Sequence, residues 1–154
     1  MLRPLSRTTR GNPFRQDALP WWLRSFLALQ GLVLLGLLIT AACLTPSPKG
    51  FGTHQQLGLP PCTITRLFKI RCPSCGMTTS WAHAVRGQLP SAVKANTGGA
   101  LLALVAMAAG PWSLATATRG IWFGGRPRND VVIIVSLLVI GVTLLDWVCR
   151  LLLE

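Results

Sequence analysis

The stretch SFLALQGLVLLGLLITAACL, residues 25–44, decides the fold. It carries no charge, and Gln30 is its only strongly polar residue. About twenty residues at a rise of about 1.5 Å cover roughly 30 Å, the hydrocarbon thickness of a bilayer. Thr45-Pro46-Ser47-Pro48 ends the run, and Trp21 and Trp22 precede it as interface anchors do. Thr40-Ala41-Ala42-Cys43 also resembles a lipoprotein processing site, in which small residues precede a lipid-modified cysteine. Thr40 stands where such signals prefer Leu, Val or Ile, and the polar region ahead is long for a signal peptide. We therefore read a spanning helix with an inert Cys43.

Working outward, two more apolar blocks appear, at about 98–118 and 131–149. Gly110-Pro111 near the middle of the second argues for a kink, because proline removes a helical hydrogen bond. The third opens with the β-branched run Val131 to Val135, but the length of its apolar stretch outweighs that strand signal. Asp146 and Arg150, four apart, are positioned to form a structural pair on one helix face. Only 12% of the 154 residues are charged and the mean hydropathy is +0.50, too apolar for an ordinary soluble domain. The expected class is an all-α integral membrane protein. It has three transmembrane helices and one or two short interfacial helices between the first and second spans.

Residues 1–20 read as a disordered basic tail and 21–154 as a single membrane domain, in which 45–97 is the long connection between spans. The net charge of +11 belongs to membrane flanks, since no basic-aromatic recognition motif points to nucleic acid. The first 24 residues hold five arginines, and the 119–130 loop holds Arg119, Arg126 and Arg128. The 45–97 segment has six basic residues in a much longer stretch and no acid. That density puts the N-terminus in the cytoplasm and the long segment on the other side.

The long segment carries the chemistry: Cys62, Cys72-Pro73-Ser74-Cys75-Gly76, and His83. Pro60-Pro61 before Cys62 reads as irregular surface, and Thr63 to Ile70 as a strand or, preferably, a helical turn. Cys72 is placed like an N-cap and Pro73 like a first helical residue, with Gly87 as the helix stop. Pro90 begins another helical turn, and Asn96 to Gly99 breaks it before the second span. Three readings of the cysteines stay open. Cys72 and Cys75 form a redox dithiol, with Cys72 as the nucleophile at a helix N-terminus. Alternatively Cys62, Cys72, Cys75 and His83 ligate zinc, since Cys-Pro-x-Cys-Gly is a frequent zinc half-site. Or the thiols are structural, as a disulfide or packed and reduced, with no cofactor. The structural reading is favoured, which makes the chain a non-enzymatic accessory or assembly module. Its partners are then the lipid bilayer and a membrane protein or a second copy of itself. The four acids, Asp17, Asp130, Asp146 and Glu154, all flank spans, so hydrolytic chemistry finds no paired carboxylate or triad.

Gly58-Leu59-Pro60-Pro61-Cys62, then Cys72-Pro73-Ser74-Cys75-Gly76-Met77-Thr78, then Val85-Arg86-Gly87, Ala92 and Asn96, resemble a bacterial membrane family, domain of unknown function 2752. The resemblance covers roughly residues 50–115. It implies a bacterial inner-membrane location and singles out the three cysteines, but supplies no reaction. The family commonly has Thr-Arg where this chain has Thr78-Thr79, and Asn-Pro where it has Asn96-Thr97.

Overall fold

A computed structural model describes residues 18–153. Its helices are α1 (Trp21–Cys43), α2 (Thr63–Phe68), α3 (Met77–Ala84), α4 (Leu89–Ala95), α5 (Thr97–Arg119) and α6 (Asn129–Leu153). A 3-10 turn at Thr53–Leu57 lies between α1 and α2. By length and composition α1, α5 and α6 suffice to cross a membrane. The expected all-helical architecture, three spans with short helices between the first two, is what the chain forms.

Each span extends beyond its apolar block. Pro20 caps α1, and its carbonyl accepts from Leu23 and Arg24 N–H, both at 3.1 Å, so Trp21 and Trp22 lie in the first turn. The expected disordered tail falls mostly on residues 1–17, outside the described residues. Of the rest, Ala18 pairs with Ile121 in an isolated antiparallel bridge, and Leu19 N–H donates to the Gly120 carbonyl at 2.9 Å. Arg24 reaches across at the same end. Its Nε donates to Ala117 O at 3.0 Å and its Nη2 to Thr118 O at 3.4 Å. The guanidinium thus satisfies carbonyls that α5 leaves unpaired at its C-terminus, where the helix dipole favours a cation.

α5 is the central span, and α1 packs along it at close range. A Cβ on Gly31 would stand 2.7 Å from Leu114 Cγ and 3.0 Å from Gly110 O. Glycine at both positions lets the two backbones approach, the usual device where lipid removes any hydrophobic drive between spans. α5 runs through Gly110-Pro111, where the sequence argues for a kink, as one element. Much of the interior is small: Ala82, Ala92, Ala103 and Ala106 are essentially inaccessible, and the last three share a cluster whose large members are Leu38 and Trp81.

α6 departs from this pattern. Val131 to Leu138 are all exposed, so its first half meets solvent or lipid. Its second half is fastened to the α4–α5 corner. Asp146 and Arg150 pair at 2.9 Å, Thr97 Oγ1 donates to Asp146 Oδ1 at 3.0 Å, and Arg150 Nη1 donates to Ala95 O at 2.9 Å. Trp147 Nε1 adds a bond to Arg71 O at 2.7 Å. Gly98 packs so tightly on Thr143 that no side chain fits there.

Candidate functional site

The site begins with how the Cys-Pro-Ser-Cys-Gly segment folds. It does not open a helix at Cys72, as the placement of Pro73 suggests. It forms a turn: Cys75 N–H donates to Cys72 O at 2.9 Å, and Met77 N–H to Ser74 O at 3.1 Å. α3 starts only at Met77, with Gly76 as its N-cap at φ +85°. Glycine is required twice over. The left-handed backbone disfavours a Cβ. A Cβ there would also stand 2.7 Å from Gly50 O and collide with Ala95 O. The turn is therefore pressed between the 45–60 loop and the α4–α5 junction.

Asn96 holds it from that junction. The side chain is 2% exposed, and its Nδ2 donates to Pro73 O and to Cys75 O, each at 3.1 Å. Its Oδ1 accepts from Gly99 N–H at 2.6 Å, which caps α5. Its own carbonyl accepts from Ser80 Oγ at 3.0 Å and from Ala100 N–H at 2.9 Å. One amide thus starts a span and fixes the turn that bears two cysteines. The 45–60 loop is held from the other side by Thr53 and Thr79, both fully buried, whose hydroxyls pair at 2.7 Å. Thr79 stands where the resembled family commonly has arginine, and here that position is a packed internal contact.

α3 ends as the sequence suggests. Gly87 N–H donates to Ala84 O at 2.9 Å and Gln88 N–H to His83 O at 3.0 Å, a Schellman arrangement with Gly87 at φ +73°. Arg86, just before it, does something the sequence gives no sign of. Its guanidinium donates to Ala82 O at 2.6 Å, Ala42 O at 2.8 Å and Leu44 O at 2.7 Å, and reaches Ala41 O at 3.4 Å. It closes the C-terminus of α1 and ties α3 to it.

Within this frame three sulfurs converge. The Sγ atoms of Cys62, Cys72 and Cys75 all lie within 4.8 Å of one another. Cys62 and Cys72 are 3.5 Å apart, Cys72 Sγ meets Ser74 Oγ at 3.4 Å, and Cys75 Sγ meets Thr65 Oγ1 at 3.6 Å. Cys72 is the most buried of the three. α2 brings Cys62 in, because Cys62 is its N-cap residue. The Cys62 side chain makes no close capping bond, yet its thiolate gains from the first turn. The Thr65 N–H and hydroxyl, with the Cys72 thiol, pull its pKa down to about 7 from about 9. Once Cys62 ionises its sulfur can only accept, so the neighbouring proton stays on Cys72. Burial pushes the Cys72 thiol the other way, up. The two shifts run in opposite directions, so Cys62 ionises more readily than Cys72.

His83 is not part of the cluster. Its Nδ1 pairs with Gln88 Oε1 at 2.7 Å at the far end of α3. The cavity beside the sulfurs, about 360 Å³, is lined by the three cysteines and by the other histidine, His54. Sequence reasoning passed over His54 because it lies outside the cysteine pattern. Cys43 and Cys149 are exposed and stand apart from the three.

No curated protein and no solved structure matches the chain. Residues 62–110, which run from Cys62 through the cysteine turn and Asn96 into α5, match the model of a family described as protein of unknown function (DUF2752).

Proposed function

We propose that the chain is a membrane-anchored metal-binding module whose centre is the thiolate set Cys62, Cys72 and Cys75. The observation that carries this reading is the mutual approach of three sulfurs from two separate segments, all within 4.8 Å. Ligands about 2.3 Å from a tetrahedral zinc stand about 3.8 Å from one another, so the spacing suits one ion. Segment 45–97 contains no Asp or Glu, and sulfur donors without carboxylates favour zinc or another soft ion over magnesium or calcium. On this reading the spans serve as anchor and scaffold, and the module acts through a partner rather than as an enzyme. The charge distribution favours a cytoplasmic N-terminus, with the metal centre on the opposite face of a bacterial inner membrane.

The test is the zinc content of full-length protein purified in detergent under reducing conditions. We expect about one zinc per chain, lost in Cys62→Ser, Cys72→Ser and Cys75→Ser alike. Reduced protein that neither contains nor takes up zinc rules the reading out.

A second reading is supported by the 3.5 Å contact and the acidic Cys62 thiol. Here Cys62 attacks the disulfide of an oxidised partner and Cys72 resolves the mixed disulfide. The partner leaves as a dithiol and Cys62–Cys72 becomes the disulfide. It predicts a reductant-sensitive mobility shift in Cys75→Ser that is absent in Cys62→Ser.

A further inference from the structure

We infer that His54 supplies the fourth ligand of the three-thiol centre, so that an ion bound there clamps the 45–60 loop onto the cysteine turn. The inference rests on the metal-binding reading above and adds the donor and the consequence. A thiolate trio leaves a tetrahedral ion one position short, to be filled by a donor from the cavity wall or by water. Of the other side chains there, Ser74 Oγ is engaged with Cys72 Sγ at 3.4 Å and Thr79 Oγ1 with Thr53 at 2.7 Å. Apart from the Thr78 hydroxyl, a weak zinc donor, the remaining candidates are the His54 imidazole and the Met77 thioether. Imidazole suits zinc, whereas a thioether suits cuprous copper.

His54 is also held in the way a ligand needs. Its backbone is fixed on both sides. Gly52 opens the 3-10 turn at φ +87°, and Thr53 beside it is locked to Thr79 and accepts from Ser47 N–H at 3.0 Å. Gln56 exchanges two bonds with the Thr45 backbone, at 2.6 and 3.0 Å. The imidazole itself makes no hydrogen bond among the described residues, unlike that of His83, which is occupied by Gln88. His54 thus shares the cavity wall with the three cysteines, and turning its imidazole toward them gives up no hydrogen bond among the described residues. His54 also lines a second, mainly apolar cavity with Leu37, Leu44, Leu57 and Trp81. Turning toward the sulfurs would draw it out of that apolar cavity. Metal loading is thereby coupled to the loop that joins α1 to the cysteine segment.

The test uses the full chain in detergent micelles, with zinc and with cobalt(II) as a spectroscopic probe. In His54→Ala we expect the ion still to bind, but zinc affinity in chelator competition to fall at least about tenfold and the tetrahedral cobalt bands to change. Met77→Leu and His83→Ala should leave both unchanged. X-ray absorption of the wild-type zinc form should show imidazole scattering, a readout that does not depend on any variant folding. If His54→Ala matches wild type in affinity and spectrum, or if imidazole scattering is missing, the inference falls while the three-thiol reading stands. An effect confined to His83→Ala or Met77→Leu also overturns it. A wild-type protein that binds neither ion removes both.

Discussion

Asn96 is the residue on which the membrane part and the cysteine turn depend together, and replacing it should damage them separately. Asn96→Ala removes an N-cap acceptor from α5 and two donors from the turn. The cap accounts for about 1 kcal/mol. Each buried carbonyl left without its donor costs about 1 kcal/mol or more, so the sum is about 3 kcal/mol. Asn96→Ser divides that sum. Serine is as good a cap as asparagine, but its short side chain cannot also reach Pro73 O and Cys75 O. It should restore about a third of the loss and leave the turn loose by about 2 kcal/mol. The assay is maleimide labelling of the metal-free, reduced protein, read per cysteine by mass spectrometry, with thermal unfolding in detergent alongside. A turn that opens about 2 kcal/mol more easily exposes Cys72 roughly thirtyfold more often. Cys72 labelling in Asn96→Ser should rise by about that factor while the melting temperature falls less than in Asn96→Ala. Equal labelling of Cys72 in wild type and Asn96→Ser would refute the idea that the side chain holds the turn.

Other expectations follow from the same contacts. Arg86→Ala should cost about 2 kcal/mol in detergent unfolding, because the last carbonyls of α1 lose their donors. Arg86→Lys should recover less than half, since an ammonium cannot serve several carbonyls at once. Gly76→Ala should give little folded protein by size-exclusion chromatography, as its Cβ meets backbone on two sides at a positive φ. In the metal-free protein, alkylation of Cys62 should rise through a midpoint near pH 7, well before Cys72 reacts. The sign for stability follows. The folded Cys62 pKa is depressed, so its contribution is complete above about pH 9 and is lost as the pH falls through about 7. Metal affinity should weaken over that same fall, because protons then compete for the ligand.

The spans were readable because an apolar run longer than about 18 residues leaves few alternatives. The Asp146–Arg150 pair and the Gly87 stop were readable too, since both rest on spacing within one helix. What could not be read rests on long-range backbone contacts. Arg86 binds carbonyls of α1 more than 40 residues away, and carbonyls carry no sequence signature. The start of α3 is hidden in the sequence because Pro73 fits a first helical position, while the real cap is Gly76 in the left-handed region. His83 enters the zinc set through its nearness in sequence to Cys75, but α3 carries it toward Gln88. His54 could have been found by asking which loop must lie against the cysteine turn, because Gly50 and Gly52 mark a segment built for tight turns.

The arrangement also bears on why such a centre would sit on three spans. The three cysteines come from two pieces of chain, the start of α2 and the turn before α3, and neither piece is anchored by a core of its own. α2 has no buried residue. The turn is held by Asn96 at the head of α5, by the 45–60 loop beyond α1, and through Arg71 O by Trp147 of α6. The head of α5, the second half of α6 and the loop that follows α1 therefore each contribute a fixed point around the sulfurs. A change in how the spans pack, whether by a partner or by a second copy against the exposed first half of α6, would reach the sulfur spacing directly. Cross-linking α6 to a neighbour through a cysteine placed at exposed Leu138 should then alter zinc affinity measurably. Unchanged affinity would show that the spans anchor the centre without controlling it.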